Sequence, residues 1–257
     1  ALLHTINNPN PNSNDRFGDE VAIDGNIAAI SATFNDDLGS NTGSVYVYDV
    51  TTGGLLSTIQ NPDPQIDDYF GTSIELFGDY IIIGAVGDDT GALGTGSAYL
   101  FNVNTGDLLQ TFNNPDPQAT DQFGSSLSLS ADHLAIGAPL DDNLPFAVNT
   151  GTIYTYFGDF DSDGVINGSA NDDIIFGLDG DDTLYGDDGL DSLYGGTGAD
   201  RFLFQNSTAF NDVDRVEDFS VGDGDIIDIS NLLTGYNQAS DDITDFAILI
   251  DTGADAL

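Results

Sequence analysis

The chain has 257 residues, with 44 Asp and Glu against three Arg and no Lys, for a formal net charge of −41. Such a polyanion cannot bind nucleic acid or an anionic membrane surface by neutralising phosphates, and its self-repulsion opposes folding unless cations sit among the carboxylates. Hydrophobic residues make up 40% of the chain, enough for a packed core, while the absence of Cys excludes a disulfide framework and no apolar run is long enough to span a bilayer.

The first elements belong to a repeat. Asn8-Pro9-Asn10-Pro11 returns as Asn61-Pro62-Asp63-Pro64 and Asn114-Pro115-Asp116-Pro117, each step being 53 residues. The same offset relates Phe17-Gly18 to Phe70-Gly71 and Phe123-Gly124, and Leu2–Ile6 to Leu55–Ile59 and Leu108–Phe112. In the first unit, alternating β-branched and aromatic residues between Gly, Asn and Asp clusters predict four strands, Glu20–Ile23, Ile27–Ile30, Ser44–Tyr48 and Leu55–Ile59. Four antiparallel strands per repeat suit a propeller blade. Over about residues 1–157 the chain resembles the FG-GAP repeats of integrin-like β-propellers, through Phe70-Gly71 with Gly84-Ala85 and Phe123-Gly124 with Gly137-Ala138-Pro139. The first unit departs, with Ser31-Ala32 in place of Gly-Ala. The resemblance implies adhesion or ligand binding, to an extracellular protein or a glycan.

The blades form an incomplete ring. The third reaches its third strand at Thr152–Tyr156 and then runs into another motif, whereas Leu2–Ile6 is a fourth strand with no blade before it. Three blades fall short of the usual minimum of about four. Either the region is part of a longer propeller, or Leu2–Ile6 completes the third blade of a neighbouring copy by strand addition. In the second case the chain is a homo-oligomer, and a filament if the rotation between copies does not close.

Next comes Asp159-Phe160-Asp161-Ser162-Asp163-Gly164, a DxDxDG loop whose carboxylates and glycine match the opening of an EF-hand-type site. Ala170 stands where an EF-hand has Glu, so Asp159, Asp161 and Asp163 are expected to hold Ca²⁺ at a domain junction rather than in an EF-hand. From Gly168 the period becomes nine, in units starting at Gly168, Gly177, Gly186 and Gly195. Their pattern, GGxGxDxUx, resembles the RTX family of calcium-binding β-rolls, the first unit departing at Ser169 and Asn171. Glycines let the turns present carbonyl oxygens, and Asp173, Asp182, Asp191 and Asp200 add the hard anionic oxygens that Ca²⁺ prefers. Two nonapeptides make one coil, so ions are expected between Asp173 and Asp191 and between Asp182 and Asp200. Ile175, Leu184, Leu193 and Phe202 should face the core of the roll.

The last segment, about 204–257, resembles the roll cap of serralysin-like proteins at Asp214–Phe219 and Gly222–Ser230. Leu232–Asn237 with Asp241–Phe246 resembles the C-terminal target domain of type I secretion substrates, and the chain is expected to stop short of that domain's end. The resemblance implies export from a Gram-negative-type bacterium to the cell surface or medium, folding there in calcium. The acid pairs Asp36-Asp37, Asp88-Asp89 and Asp141-Asp142 recur in the blades, as turn residues or as metal ligands.

Enzymatic constellations are scarce. The histidines are His4 and His133, so no HExxH zinc motif exists, nor is there a Cys nucleophile, a Schiff-base Lys or a GxSxG elbow. The expectation is therefore an all-β chain without catalytic residues. Propeller-like blades span 1–157, a calcium junction and short parallel β-roll 158–203, and a cap with a truncated secretion domain 204–257. Its expected role is structural or adhesive and built on Ca²⁺, with no nucleic-acid partner and no membrane insertion. The alternative is the binding and secretion tail of a larger extracellular enzyme. For the charge of the chain as a whole, an acidic solvating surface of the salt-adapted kind remains the other explanation.

Overall fold

The computed structural model describes residues 2–142, 150–160, 164–204 and 214–229, and every regular element among them is a β-strand. The chain divides into two compact units, Ala1–Tyr156 and Phe157–Leu257.

Unit 1 holds the blades. The first is β1 (Phe17–Asp24), β2 (Ile27–Ala32), β3 (Ser44–Asp49) and β4 (Gly54–Gln60), antiparallel and in that spatial order. The second repeats it with β5 (Ser73–Phe77), β6 (Tyr80–Ala85), β7 (Ser97–Asn102) and β8 (Leu108–Asn113). The third has β9 (Ser126–Leu129), β10 (His133–Ala138) and the start of β11 (Thr152–Gly158), and among the described residues unit 1 supplies it no fourth strand. Two-residue turns close the first hairpins, with Gly25 at φ +54° and Gly78 at φ +56° supplying a conformation that side chains disfavour.

The second blade is buried on both faces because the first and third sandwich it. In β3, Val45 and Val47 join a core with Ile74, Leu76, Ile81 and Ile83 of the second blade, while Tyr46 and Tyr48 pack on the opposite face. The Phe-Gly and Gly-Ala motifs meet where blades touch. A Cβ on Gly71 would lie 2.8 Å from Ser31 Cβ, and one on Gly84 would overlap the Gly124 carbonyl. The glycine of one blade thus presses on the Gly-Ala position of the blade before. Ser31 is tolerated at its departure because Gly71 opposite it has no side chain. β5 packs against both β1 and β9, which sets the three blades in an open arc.

Leu2–Ile6 forms no strand here, and Leu2 and Leu3 are exposed. Ile6 nevertheless packs on Ile30, Ala32, Tyr46 and Tyr48, and His4 Nε2 lies 3.2 Å from the Thr51 carbonyl.

Unit 2 is a parallel β-roll. One sheet pairs Phe157-Gly158 of β11 with β13 (Ile174–Asp179), then β15 (Ser192–Thr197) and β17 (Arg215–Val216). The other runs β12 (Val165–Asn167), β14 (Thr183–Tyr185), β16 (Arg201–Leu203) and β18 (Ile226–Asp228). Ile175 aligns with Leu193, and Leu184 with Phe202, one coil of two nonapeptides apart. With Ile166 these residues form the buried core, against which Phe157, Phe204, Val216 and Phe219 pack. The segment expected as a separate cap adds β17 and β18 to the two sheets of the roll. No helix among the described residues is long and apolar enough to cross a membrane.

Candidate calcium site

The sixth-position aspartates form two ladders along the roll. On one side the Asp173 N–H donates to Asp191 Oδ1 at 3.0 Å, and the Asp191 N–H to Asp214 Oδ1 at 3.2 Å. On the other, the Gly164 N–H donates to Asp182 Oδ1 at 2.9 Å, Asp182 N–H to Asp200 Oδ1 at 3.0 Å, and Asp200 N–H to Asp225 Oδ1 at 3.0 Å. Asp182, Asp191, Asp200, Asp214 and Asp225 therefore each spend one oxygen on the backbone of the coil beneath. The pairs expected to share ions, Asp173 with Asp191 and Asp182 with Asp200, are successive rungs.

The second oxygens show what the ladders lack. Asp191 Oδ2 and Asp200 Oδ2 are fully buried and accept no hydrogen bond. Each leans over the first glycine of its own nonapeptide, so that a Cβ on Gly186 or Gly195 would overlap it. A Cβ on Gly189 or Gly198 would likewise overlap the Asn171 or Gly180 carbonyl one coil away. A Cβ on Gly177 would meet both Asp182 Oδ2 and the Gly195 carbonyl, so bare backbone lets carboxylate and carbonyl oxygens come together, a set suited to a hard cation. Burial pushes the Asp191 carboxyl up to about 6, against the lowering effect of the Asp173 N–H, with repulsion from Asp214 and Asp173 adding to it. Burial raises Asp200 in the same direction. A cation removes both penalties. Among the described residues no group of three or more His, Asp or Glu side chains converges for a metal.

Asp173 differs. Its Oδ2 accepts the Ser169 N–H at 2.5 Å and its Oδ1 the Ser169 hydroxyl at 3.3 Å, so the departure from glycine at Ser169 gives this carboxylate a protein partner. Asp159 is buried, and its N–H donates to the Phe176 carbonyl at 2.9 Å; Asp161 and Asp163 lie outside the described residues. Sequence reasoning missed Asp214, Asp218 and Asp225. Asp218 accepts the Gly195 and Gly196 N–H groups, both at 2.8 Å, and burial raises its pKa. A signal existed: Asp214-Arg215-Val216 and Asp225-Ile226-Ile227 repeat the Asp-x-apolar ending of every nonapeptide. Longer loops before them break the nine-residue period and hide it.

An FG-GAP repeat model matches residues 5–48, 56–101 and 110–156, together more than half of the chain. The chain belongs to the FG-GAP repeat family. A model of the RTX calcium-binding nonapeptide repeat, in four copies, matches residues 167–202 of this FG-GAP protein and identifies the cation of the roll as Ca²⁺. No curated protein matches the chain. Solved structures similar to it include the crystal structure of the computationally designed Ika8 protein, at 16% identity and a TM-score of 0.24. That match covers 53% of this chain and 44% of that one, so the chain spans less than half of its length.

In the FG-GAP blades the acid pairs organise turns. Asp88 is fully buried, with Oδ1 accepting the Thr90 N–H at 2.8 Å and hydroxyl at 2.6 Å, and Oδ2 accepting the Tyr99 hydroxyl. The Tyr154 hydroxyl donates to Asp141 Oδ2 at 2.6 Å. The 53-residue offset places Asn35, not Asp36, at this position of the first blade, where its Nδ2 donates to the Tyr46 hydroxyl at 3.4 Å. The recurrence of Asp36-Asp37 is therefore out of register by one residue. Between the first two blades, Arg16 lies 4.0 Å over the Phe34 ring, and Phe34 is 5.2 Å from Tyr69. With Asp19, Glu20 and Thr33 they line a cleft of about 340 Å³.

Proposed function

We propose that this FG-GAP protein is a non-catalytic extracellular structural or adhesive protein, exported by type I secretion, whose copies join head to tail. The single observation that carries the calcium-built part is the pair of buried, donorless oxygens on Asp191 and Asp200. At low cytosolic calcium such a polyanionic chain stays extended and passes a secretion channel; extracellular calcium then makes the ladders cohesive. Head-to-tail joining is supported by the position of Ile6. It packs on the first blade as Ile59, its counterpart 53 residues on, packs on the second. Leu2–Ile6 thus lies where the fourth strand of a preceding blade belongs, and strand addition to a neighbour's third blade supplies the rest. A glycan is the ligand class that suits the Arg16 cleft, because sugar rings stack on aromatic walls while hydroxyls bond to Asp19 and Glu20.

The test is molar mass by light scattering together with circular dichroism, across a calcium titration and in excess EGTA. Calcium should produce an ordered roll and assembly, and EGTA should reverse both. A chain whose dichroism and melting are identical in EGTA overturns the calcium reading. A folded monomer in saturating calcium overturns the assembly.

A further inference from the structure

Three of the four nonapeptide turns share one backbone conformation, and the first departs from it. At the second position Leu178, Asp187 and Gly196 hold φ +77°, +75° and +94°, and at the fourth Gly180, Gly189 and Gly198 hold φ +132°, +133° and +129°. Leu178 and Asp187 sit in a region that side chains disfavour, so the turn itself demands it. Ser169 and Asn171 occupy these two positions in the first unit, and neither has a positive φ. Their turn closes on its own carboxylate instead. The Asn171 N–H and Nδ2 both donate to the Ser169 hydroxyl oxygen at 3.3 Å, and that hydroxyl donates on to Asp173 Oδ1 at 3.3 Å. The Ser169 N–H takes Asp173 Oδ2 at 2.5 Å. Both oxygens of Asp173 thus accept from their own turn, whereas Asp191 Oδ2 and Asp200 Oδ2 accept nothing. Asp173 is half-buried, while Asp191 and Asp200 are 1% and 0% exposed. Stacking of the first turn is intact all the same: the Asp173 N–H donates to Asp191 Oδ1, and a Cβ on Gly168 would overlap the Gly186 carbonyl.

We infer that the first nonapeptide turn is a calcium-independent lock, in which Ser169 and Asn171 do for Asp173 what a cation does for Asp191 and Asp200. The inference rests on the calcium reading above and sets a limit to it, because the first unit does not fit the ion that the four-copy pattern implies for it. A carboxylate whose lone pairs already accept N–H and O–H groups must give up those bonds before it can ligate. An ion beside Asp191 therefore takes no charge from Asp173, and the roll's cation donors begin with the second unit. The place of the lock gives it a use. It directly follows β12, the first strand of its sheet, and its hydrogen bonds form without calcium. A nucleus of the roll is thus in place before calcium arrives, and binding has only to order the turns that follow.

Hydrogen exchange in excess EGTA and calcium titration by equilibrium dialysis, both on the full chain, test this with Asp173→Asn, Asp200→Asn and the double variant Ser169→Gly/Asn171→Gly. In EGTA the wild-type amides of 168–173 should exchange about 10-fold more slowly, or slower still, than those of 186–191, the scale of one charge-assisted hydrogen bond. The double variant should lose that difference. Asp173→Asn should leave the calcium needed for half-saturation within about twofold of wild type, while Asp200→Asn should raise it on the order of 100-fold. In the background of the double variant Asp173 is released to the cation, and Asp173→Asn should there weaken calcium binding by about 10-fold or more. An Asp173→Asn variant as impaired in wild type as Asp200→Asn overturns the lock and leaves the calcium reading standing, as does equal exchange at the two turns in EGTA. These two measurements decide the matter even where the double variant fails to fold. A chain that binds no calcium overturns the calcium reading and the lock with it.

Discussion

Asp191→Asn should change the stability of the roll with opposite sign in the presence and absence of calcium. The substitution is isosteric: the amide oxygen can still accept the Asp173 N–H, while the amide nitrogen replaces the oxygen that is buried and donorless. In EGTA the wild-type carboxylate is held at a cost, since its pKa rises from 3.8 to about 6 at a residue only 1% exposed. Above that pH the cost amounts to on the order of 3 kcal/mol. The neutral amide escapes it, less the part lost because its own N–H donors need partners. In calcium the same change removes a full negative charge from the donor set. The calcium needed for half-saturation should then rise on the order of 100-fold, because ligand charge count is what separates affinity classes at oxygen sites. Hydrogen exchange on peptides within 164–204, with and without EGTA, separates this unit from the blades. The variant should be better protected than wild type in EGTA and less protected at limiting calcium. If it loses protection in both, the carboxylate is an ordinary structural acceptor and the argument from its second oxygen is wrong.

Gly195→Ala places a methyl against Asp200 Oδ2 and should destabilise unit 2 by about 1–3 kcal/mol while raising its calcium requirement; calcium titrations followed by dichroism check both. Asp68 is pushed up to about 6 by burial, against the Gln65 N–H and with help from the charge of Asp88. Its native carboxylate is thus the costly form, from which the unfolded chain, titrating near 3.8, is spared. Stability from this group is complete below about pH 4 and lost by about pH 7, on the order of 3 kcal/mol in all. Urea midpoints for unit 1 should therefore fall as pH rises through that window, and Asp68→Asn should flatten the fall; an unchanged slope refutes the assignment. Tyr99→Phe removes the hydroxyl donor to buried Asp88 and should cost about 1.5–3 kcal/mol by urea denaturation, with the roll's calcium titration unchanged.

The blade pitch and the nine-residue period could be read directly because both are local patterns copied several times in phase. The four strands of the first blade were legible from alternation alone, since Val45 and Val47 must face one way and Tyr46 and Tyr48 the other. The inward Ile175, Leu184, Leu193 and Phe202 followed from the same logic. Register within a loop was harder to read. Asp36-Asp37 looked like the partner of Asp88-Asp89, although the 53-residue offset already sets Asn35 opposite Asp88, where it bonds the Tyr46 hydroxyl.

The sequence by itself determined which residues share a face, because that follows from backbone period, and which segments can gather oxygens around a cation, because glycine and aspartate recur in step. Only the tertiary structure decided what covers each face. Val21 and Ile74 have the same chemistry and the same place in their blades, yet one is exposed and the other buried, because burial depends on a neighbour that pattern does not encode. Asp214 and Asp225 joined the ladders for the same reason: stacking of coils in space restores a spacing that loop length had erased along the chain.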